Sequence, residues 1–389
     1  MHDGPLRIPS VDAASVLAQR DAVLLDLRAP AEFEQDHLAL ARNVPLFDDL
    51  QRALIGTLYN KSSPDVAFEE GRRVVHGRVA SLVREIAAVS GRRAPEGDLG
   101  ALVDELTRGG IHAMEQRMTA EPVRELAPGA VILCCHRGGL RSRSVAALLT
   151  GLGFADVAVV AGGYKSCRRA VLERLERWSA PPSFVLRGLT GVGKSLVLRE
   201  LEALRPRWTI DLEDLAQHRS SILGMVGLAP VSQKLFETRL SERIARGFDG
   251  VVVLEGESRK VGDVIVGSSV WRALEAGTSL ELVAGIERRV DVLLEDYLRH
   301  PGSRAELAQQ LSFIEQRLGE REWDTALVRM LDSGRERDLV RLLLERYYDP
   351  RYRHAEQGRS HAASFDSTVP RECARRIAEW IDQQRRAGS

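Results

Sequence analysis

A chain of 389 residues is longer than one ordinary hydrophobic core sustains, and predicts two domains with an extension. Its 44% hydrophobic and 28% charged residues are those of a globular protein, and 55 Lys+Arg against 55 Asp+Glu exclude a protein that coats nucleic acid through bulk charge, while leaving room for a local basic patch. Cys134, Cys135, Cys167 and Cys373 lack metal-ligand spacing, the N-terminus lacks a signal-peptide apolar core, and no apolar run would span a bilayer, so the expectation is a cytoplasmic protein with no membrane partner.

Ala22–Leu27 reads as a short buried strand that runs into a turn and a helix, with Pro30 suited to the first helical turn. Asp26 and Arg28 are expected to form an ion pair tying strand end to turn. The segment from about 47 to 128 is rich in charge, Ala and Leu. Val75, Val79, Leu82, Val83 and Ile86 recur at helical spacing, Leu99–Met118 is predicted helical, and Arg93–Gly97 is a loop between them. The basic residues Arg72, Arg73, Arg78 and Arg84 fit a solvated helix face.

Ala130–Leu133 is an apolar run that ends in a thiol, within V-I-L-C-C-H-R-G-G-L-R-S-R-S (Val131–Ser144). Strand, Cys135, a loop with Gly138 and Gly139, then a helix is a layout that activates sulfur. The glycines let backbone N–H groups turn inward as an anion nest, and the helix N-terminus and Arg141 add positive potential. Cys135 is therefore the candidate nucleophile, and Arg137, Gly138, Gly139, Arg141 and Ser142 the candidate anion holders. Cys134 belongs to the strand and reads as core. Asp156–Ala161 is a further strand, and Gly162–Lys165 opens a helix reaching about Trp178. Pro181-Pro182 ends it and sets the domain boundary.

Phe184–Leu186 is a strand, followed by G-L-T-G-V-G-K-S (Gly188–Ser195) and a helix through Leu201. This is a phosphate-binding P-loop in its required context. Backbone N–H groups of Gly191, Val192, Gly193, Lys194 and Ser195 can wrap a phosphate at the helix N-terminus. Lys194 supplies charge to the terminal phosphate, and Ser195 is a candidate Mg²⁺ ligand. Strand ends at Asp211 and Glu255 bring acids to the same side. His218, Arg219, Arg259 and Lys260 follow strand ends and are candidates to meet an anion or RNA phosphate, against the plainer reading of surface polar residues. Glu213 and Asp214 read as ordinary first-turn acids.

Beyond Leu274–Val283, helices are predicted at Glu287–Leu298, Ala305–Leu318, Trp323–Leu331, Leu339–Tyr347 and Glu372–Gln384. Arg288, Arg289, Arg341, Arg346, Arg351 and Arg353 lie near Tyr347, Tyr348 and Tyr352. Such interleaving can hold phosphate and stack a base, or form the Tyr-rich edge of a bundle.

The string D-x-R-x-P-x-E-F from Asp26, the Cys135 loop and Gly162-Gly163-Tyr164 resemble a rhodanese-type domain. The Cys135 loop has one residue more before its Arg-Ser pair than common rhodanese loops. It is similar to the loop of bacterial tRNA 2-selenouridine synthases, as is Arg52–Tyr59. In the second half D-L-E-x-L-A-x-H-R (from Asp211), Q-K-x-F-E (Gln233–Glu237), E-x-E-S-R (from Glu255) and L-L-x-x-Y-Y-D-P-x-Y (Leu343–Tyr352) resemble the same family. His136 departs from a frequent Trp and Gln217 from a common Asn.

The resemblance implies an α/β chain: a rhodanese-like domain over 1–180 with a helical insertion at about 47–128, a P-loop parallel-sheet domain over 181–285, and a helical region over 286–389 packed on it. It also implies a chemistry. The 2-thio sulfur of a wobble uridine in the tRNA anticodon is exchanged for selenium from selenophosphate, after S-geranylation by geranyl diphosphate. Cys135 would handle selenium, Lys194 the departing diphosphate, and a selenophosphate-producing enzyme is an expected partner. The rivals are a sulfurtransferase fused to an ATPase or kinase, and a non-enzymatic module gated by nucleotide.

Overall fold

The computed structural model describes residues 5–19, 21–95, 97–256, 258–300, 302–318, 326–355 and 358–387. The chain divides into two compact units, Met1–Arg174 and Leu175–Ser389.

In the first unit the elements run β1 (Leu6–Val11), α1 (Ala13–Ala18), β2 (Val23–Asp26), α2 (Pro30–Gln35), β3 (Ala41–Asn43), α3 (Asp49–Lys61), α4 (Pro64–Val89), α5 (Leu99–Thr107), α6 (Gly110–Arg117), β4 (Met118–Pro122), β5 (Val131–Cys134), α7 (Leu140–Gly151), β6 (Val157–Val160) and α8 (Gly163–Arg177). Six parallel strands form a sheet in the order β3-β2-β5-β6-β1-β4. β5 and β6 are buried along their whole length, which is why they read as unbroken apolar runs.

One face of this sheet packs Leu25, Val131 and Leu133 against Val79, Leu82, Val83 and Ile86 of α4 and Val145–Leu149 of α7. The other packs Leu24, Ile132 and Cys134 against Val16 and Cys167. α4 begins where Ser63 accepts the Val66 N–H and Pro64 takes the first helical position. α3 is capped by the reciprocal Asp48–Gln51 pair but buries no residue fully.

The expected helical insertion is not helical to its end. Met118–Pro122 forms β4, which adds to β1 from Leu6↔Met118 to Ser10↔Pro122. Only Met118 of that strand is buried, so M-T-A-E-P has no alternation to betray it. β1 carries Pro9 and was hidden for the related reason that proline argues against strand.

The second unit runs β7 (Ser183–Arg187), α9 (Lys194–Leu204), β8 (Thr209–Ile210), α10 (Leu212–Ala216), α11 (Gln233–Ala245), β9 (Val252–Glu255), β10 (Lys260–Val261), β11 (Val264–Ile265), α12 (Ser268–Ala276), β12 (Thr278–Val283), α13 (Ile286–Tyr297), α14 (Ser303–Leu318), α15 (Ala326–Asp332), α16 (Glu336–Leu343), a π-helical turn at Leu344–Tyr348, α17 (Asp349–Ala355), β13 (Ala363–Asp366) and α18 (Pro370–Ala387). Its main sheet is parallel, in the order β13-β12-β7-β9-β8. α14–α16 gather a separate core, with Leu311, Ile314, Leu327, Leu331, Leu339 and Leu343 packed on Leu223 and Val226.

The region from 286 onward is likewise not helical throughout. β13 pairs with β12 from Leu280↔Ala363 to Val283↔Asp366, and α18 lays Cys373, Ala374, Ile377 and Ile381 on the core shared with Val197, Leu198 and Leu201 of α9. The helix expected from Trp323 is described from Ala326; residues 323–325 lie outside the described residues. No helix among the described residues is long and apolar enough to cross a membrane.

Candidate functional site

Each unit carries a site at the C-terminal end of a central parallel strand, where a loop turns into a helix. In the first, β5 ends at Cys134, and Cys135 heads the loop that leads to α7. Cys135 Sγ donates to Ser142 Oγ at 3.2 Å, and Ser142 Oγ donates to the Gly139 carbonyl at 3.2 Å. The loop lies against the turn before α8, where Tyr164 N–H donates to the Cys135 carbonyl at 2.9 Å.

Gly138 sits at φ +63°, and a Cβ there would lie 2.5 Å from the Val160 carbonyl oxygen. Gly163 answers from the other side, at φ +60° with a hypothetical Cβ 2.2 Å from the Cys135 carbonyl oxygen. These two glycines let the backbones close on each other. Gly139 is different: its φ is −91° and a Cβ would meet nothing within 4 Å.

Behind the loop, Arg28 clamps the end of β2. It bonds Asp26 at 2.6–3.1 Å, donates to the Asp36 carbonyl at 2.7 Å and lies 3.8 Å from the centre of the Tyr164 ring. Tyr164 donates to Asp36 Oδ2 at 2.7 Å, and burial with that carboxylate pushes its phenol up. Burial, with Asp26 nearby, also pushes the Cys134 thiol well above its ordinary value, so Cys134 is a core thiol. His136 is half-buried, faces Tyr164, and is held below the usual imidazole range by desolvation.

Cys135, Arg137, Gly139 and Arg141 line a cavity of about 580 Å³. The rest of its wall comes from α3–α7 and is predominantly apolar, including Ile55, Phe68, Val75, Leu106, Met114 and Leu148. Sequence reasoning missed this cavity. The apolar positions of α4 and α5 were visible, but a hollow made between five helices leaves no signal in any one of them.

In the second unit, β7 feeds the 188–193 turn and α9. Gly188, Gly191 and Gly193 all have left-handed φ, and Gly188 is pressed on β12, where a Cβ would lie 2.4 Å from the Leu282 carbonyl oxygen. Lys194 Nζ donates to the Gly188 carbonyl at 3.4 Å and stands 5.6 Å from the centre of the Tyr352 ring. Ser195 Oγ is 3.4 Å from both Glu213 Oε2 and Glu255 Oε2, and Glu255 Oε1 accepts the Glu213 N–H at 2.6 Å. Glu255, fully buried at the end of β9, therefore fixes Glu213 against the loop. Glu213, read from sequence as a helix-start acid, belongs to this site. Asp211 caps α10 through the Asp214 N–H, and burial pushes its carboxyl up to about 6.

Two buried contacts hold the loop from below. Arg289 donates to the Thr190 carbonyl at 2.8 Å while pairing with Asp349 at 2.5 and 3.0 Å. Ser367 donates to the Val192 carbonyl at 2.7 Å.

A cavity of about 460 Å³ lies over Lys194 and Ser195, bordered by Asp211, Glu213, Arg219, Arg299, Arg351 and the tyrosines 297, 347, 348 and 352. Arg219 borders it but is engaged by Asp296 at 2.5 Å and by the Val226 carbonyl at 2.7 Å, over the Tyr297 ring. His218 and Arg259 do not border it. The His218 ring fills the space over Gly224 and Gly262, and exposed Arg259 reaches Ser268. These three candidates are thus structural or peripheral. Arg353 and Glu257 have side chains outside the described residues. No group of three or more His, Cys, Asp or Glu among the described residues could hold a metal alone.

The family model for the tRNA 2-selenouridine synthase AAA domain matches residues 181–387, more than half of the chain. Among solved structures, the N-terminal domain of a Clostridium difficile 630 protein described as ATP/GTP-binding is 25% identical, covering 41% of this chain and 97% of that one with a TM-score of 0.30.

Proposed function

The chain belongs to the tRNA 2-selenouridine synthase family, and from that premise we propose that it exchanges the 2-thio sulfur of a tRNA wobble uridine for selenium in two steps, one at each site. The single observation that carries the division of labour is that one chain holds two unlike sites. A thiol borders an apolar cavity in the first unit, and a lysine–serine loop faces two carboxylates in the second.

The second unit is the P-loop domain and takes geranyl diphosphate. The base sulfur attacks the allylic carbon, the C–O bond breaks, diphosphate leaves with the electron pair, and the base gives up its N3 proton. Lys194 and the loop N–H groups stabilise the charge that develops on the diphosphate. Ser195, Glu213 and Glu255 bring three oxygens together, a donor set that fits Mg²⁺; they would hold the ion, and it would neutralise that same charge.

The first unit is the rhodanese-like domain, with α3–α6 as its insertion. A thiocarbonyl leaves poorly, but an S-alkylated sulfur leaves as a thiolate. Cys135 sulfur adds to C2 as the geranyl thiolate departs. Selenium of selenophosphate then displaces Cys135, and water takes the phosphoryl group off selenium. Arg141 and the loop amides hold the phosphoryl oxygens. The partners of this reading are the anticodon region of thiolated tRNA and an enzyme that makes selenophosphate.

Purified protein given a thiolated anticodon stem-loop, geranyl diphosphate and selenophosphate tests this by nucleoside mass analysis. Cys135→Ser is expected to accumulate S-geranyl-thiouridine without selenouridine. Lys194→Ala is expected to lose geranylation by at least about tenfold, the loss of more than 1.4 kcal/mol of charge stabilisation, yet to selenate a pre-geranylated substrate. Equal loss of both steps in both variants would sink the division. The placement of Glu255 beside Ser195 also suits an ATPase or kinase that activates an acceptor. Steady ATP turnover with no use of geranyl diphosphate would favour that second reading.

A further inference from the structure

The cavity at Cys135 is larger and more apolar than a phosphate-sized selenium donor requires. About 580 Å³ is the size of a pocket for a small organic ligand. Its lining includes Cys135 and Arg141, and on α3 Arg52, whose Nε lies 3.6 Å from Glu32 Oε2. Most of the wall is apolar, including Ile55, Phe68, Val75, Leu106 and Met114, with Asn60, Arg72, Thr107 and Glu115 among its polar groups. The cavity over Lys194 carries more charge, with Asp211, Glu213, Asp214, Asp296, Arg199 and Arg299 on its border beside Leu196, Leu293 and Tyr352. A flexible hydrocarbon gains burial against the apolar wall of the first cavity.

We infer that the cavity formed by α3–α7 receives the alkyl chain carried on the base sulfur, a branched hydrocarbon of about ten carbons, with the sulfur and C2 at the Cys135 end. This rests on the two-step reading above and adds a specificity to it. Any alkyl group would make the sulfur a better leaving group, a methyl included. A cavity of this size rewards the long chain, so the alkyl group is also the handle by which the first unit selects a base that the second unit has processed.

The test bypasses the second unit. Anticodon stem-loops carrying S-methyl- or S-geranyl-2-thiouridine are given selenophosphate without geranyl diphosphate, and kcat/KM for selenouridine and Kd for each stem-loop are measured. Burying four carbons beyond the methyl, at about fourfold each, predicts a preference for the geranyl substrate of at least about hundredfold. Ile55→Trp, on a helix that buries no residue fully, and independently Val75→Phe on α4, fill the cavity. Each is expected to collapse the geranyl-to-methyl ratio toward one. A wild-type ratio near one, or a ratio unchanged in both variants, overturns the inference. If neither substrate yields selenouridine in the wild type, the two-step reading itself has failed, and Kd decides the cavity. Geranyl-selective binding that Ile55→Trp abolishes supports it, and equal Kd values overturn it.

Discussion

Replacing Arg289 with methionine would remove the charge beneath the 188–195 loop while keeping an apolar stem. Arg289 and Asp349 have side chains only 4% and 10% exposed, and they bond at 2.5 and 3.0 Å. In Arg289→Met the Asp349 carboxylate stays buried without its partner, and the Thr190 carbonyl loses a donor. Breaking a buried pair from one side costs about 3–5 kcal/mol; the residual exposure of Asp349 puts this case near the lower end, about 3 kcal/mol. At about 2–4 °C per kcal/mol for a unit of this size, Tm falls by about 6–12 °C. All five tryptophans, at 178, 208, 271, 323 and 380, follow residue 174, so tryptophan fluorescence follows the unfolding of the second unit alone. Arg289→Met with Asp349→Leu is expected to regain most of the loss, because the stranded charge is gone. A fall below about 2 °C, or a double variant as unstable as the sum of the singles, would refute the argument that desolvation of an unpaired charge dominates here.

Gly138→Ala is expected to destabilise the first unit by at least about 2 kcal/mol, since it adds a Cβ at positive φ against the Val160 carbonyl, while Gly139→Ala is near neutral; urea unfolding followed by far-UV circular dichroism compares them. Asp211, pushed up to about 6 from 3.8, keeps a proton in the folded state that the unfolded chain has released, so its contribution to stability falls as pH rises from about 4 to 6. Asp211→Asn keeps a capping side chain and should flatten that part of the Tm-against-pH curve; an unchanged slope would count against the assignment. Cys134, Cys167 and Cys373 are buried thiols, the first pushed well up and the other two up to about 12, so iodoacetamide at neutral pH should leave all three unlabelled in the folded protein, as peptide mass mapping would show.

What the sequence discloses follows from how locally each feature is encoded. β5 and the 131–144 loop are legible because a buried parallel strand is apolar throughout and its loop residues are consecutive. The 188–195 loop is legible for the same reason. β4 and β13 are not, because each is an edge strand specified by backbone pairing, β4 with a partner more than a hundred residues away. Arg219 looked available from its place after a strand end, but its partner Asp296 is 77 residues distant. Glu213 looked like a routine helix-start acid until β9 placed Glu255 behind it.

The place of β13 bears on how this protein is made. The ribosome lays down the 188–195 loop early in the second unit, then the whole of 284–362, before the strand that closes the sheet beside β12. Ser367, just behind that strand, is the residue that latches the Val192 carbonyl. A nascent chain therefore lacks the Ser367 contact through most of the second unit's translation, and a polypeptide ended just before residue 367 keeps only the Arg289 contact beneath the loop.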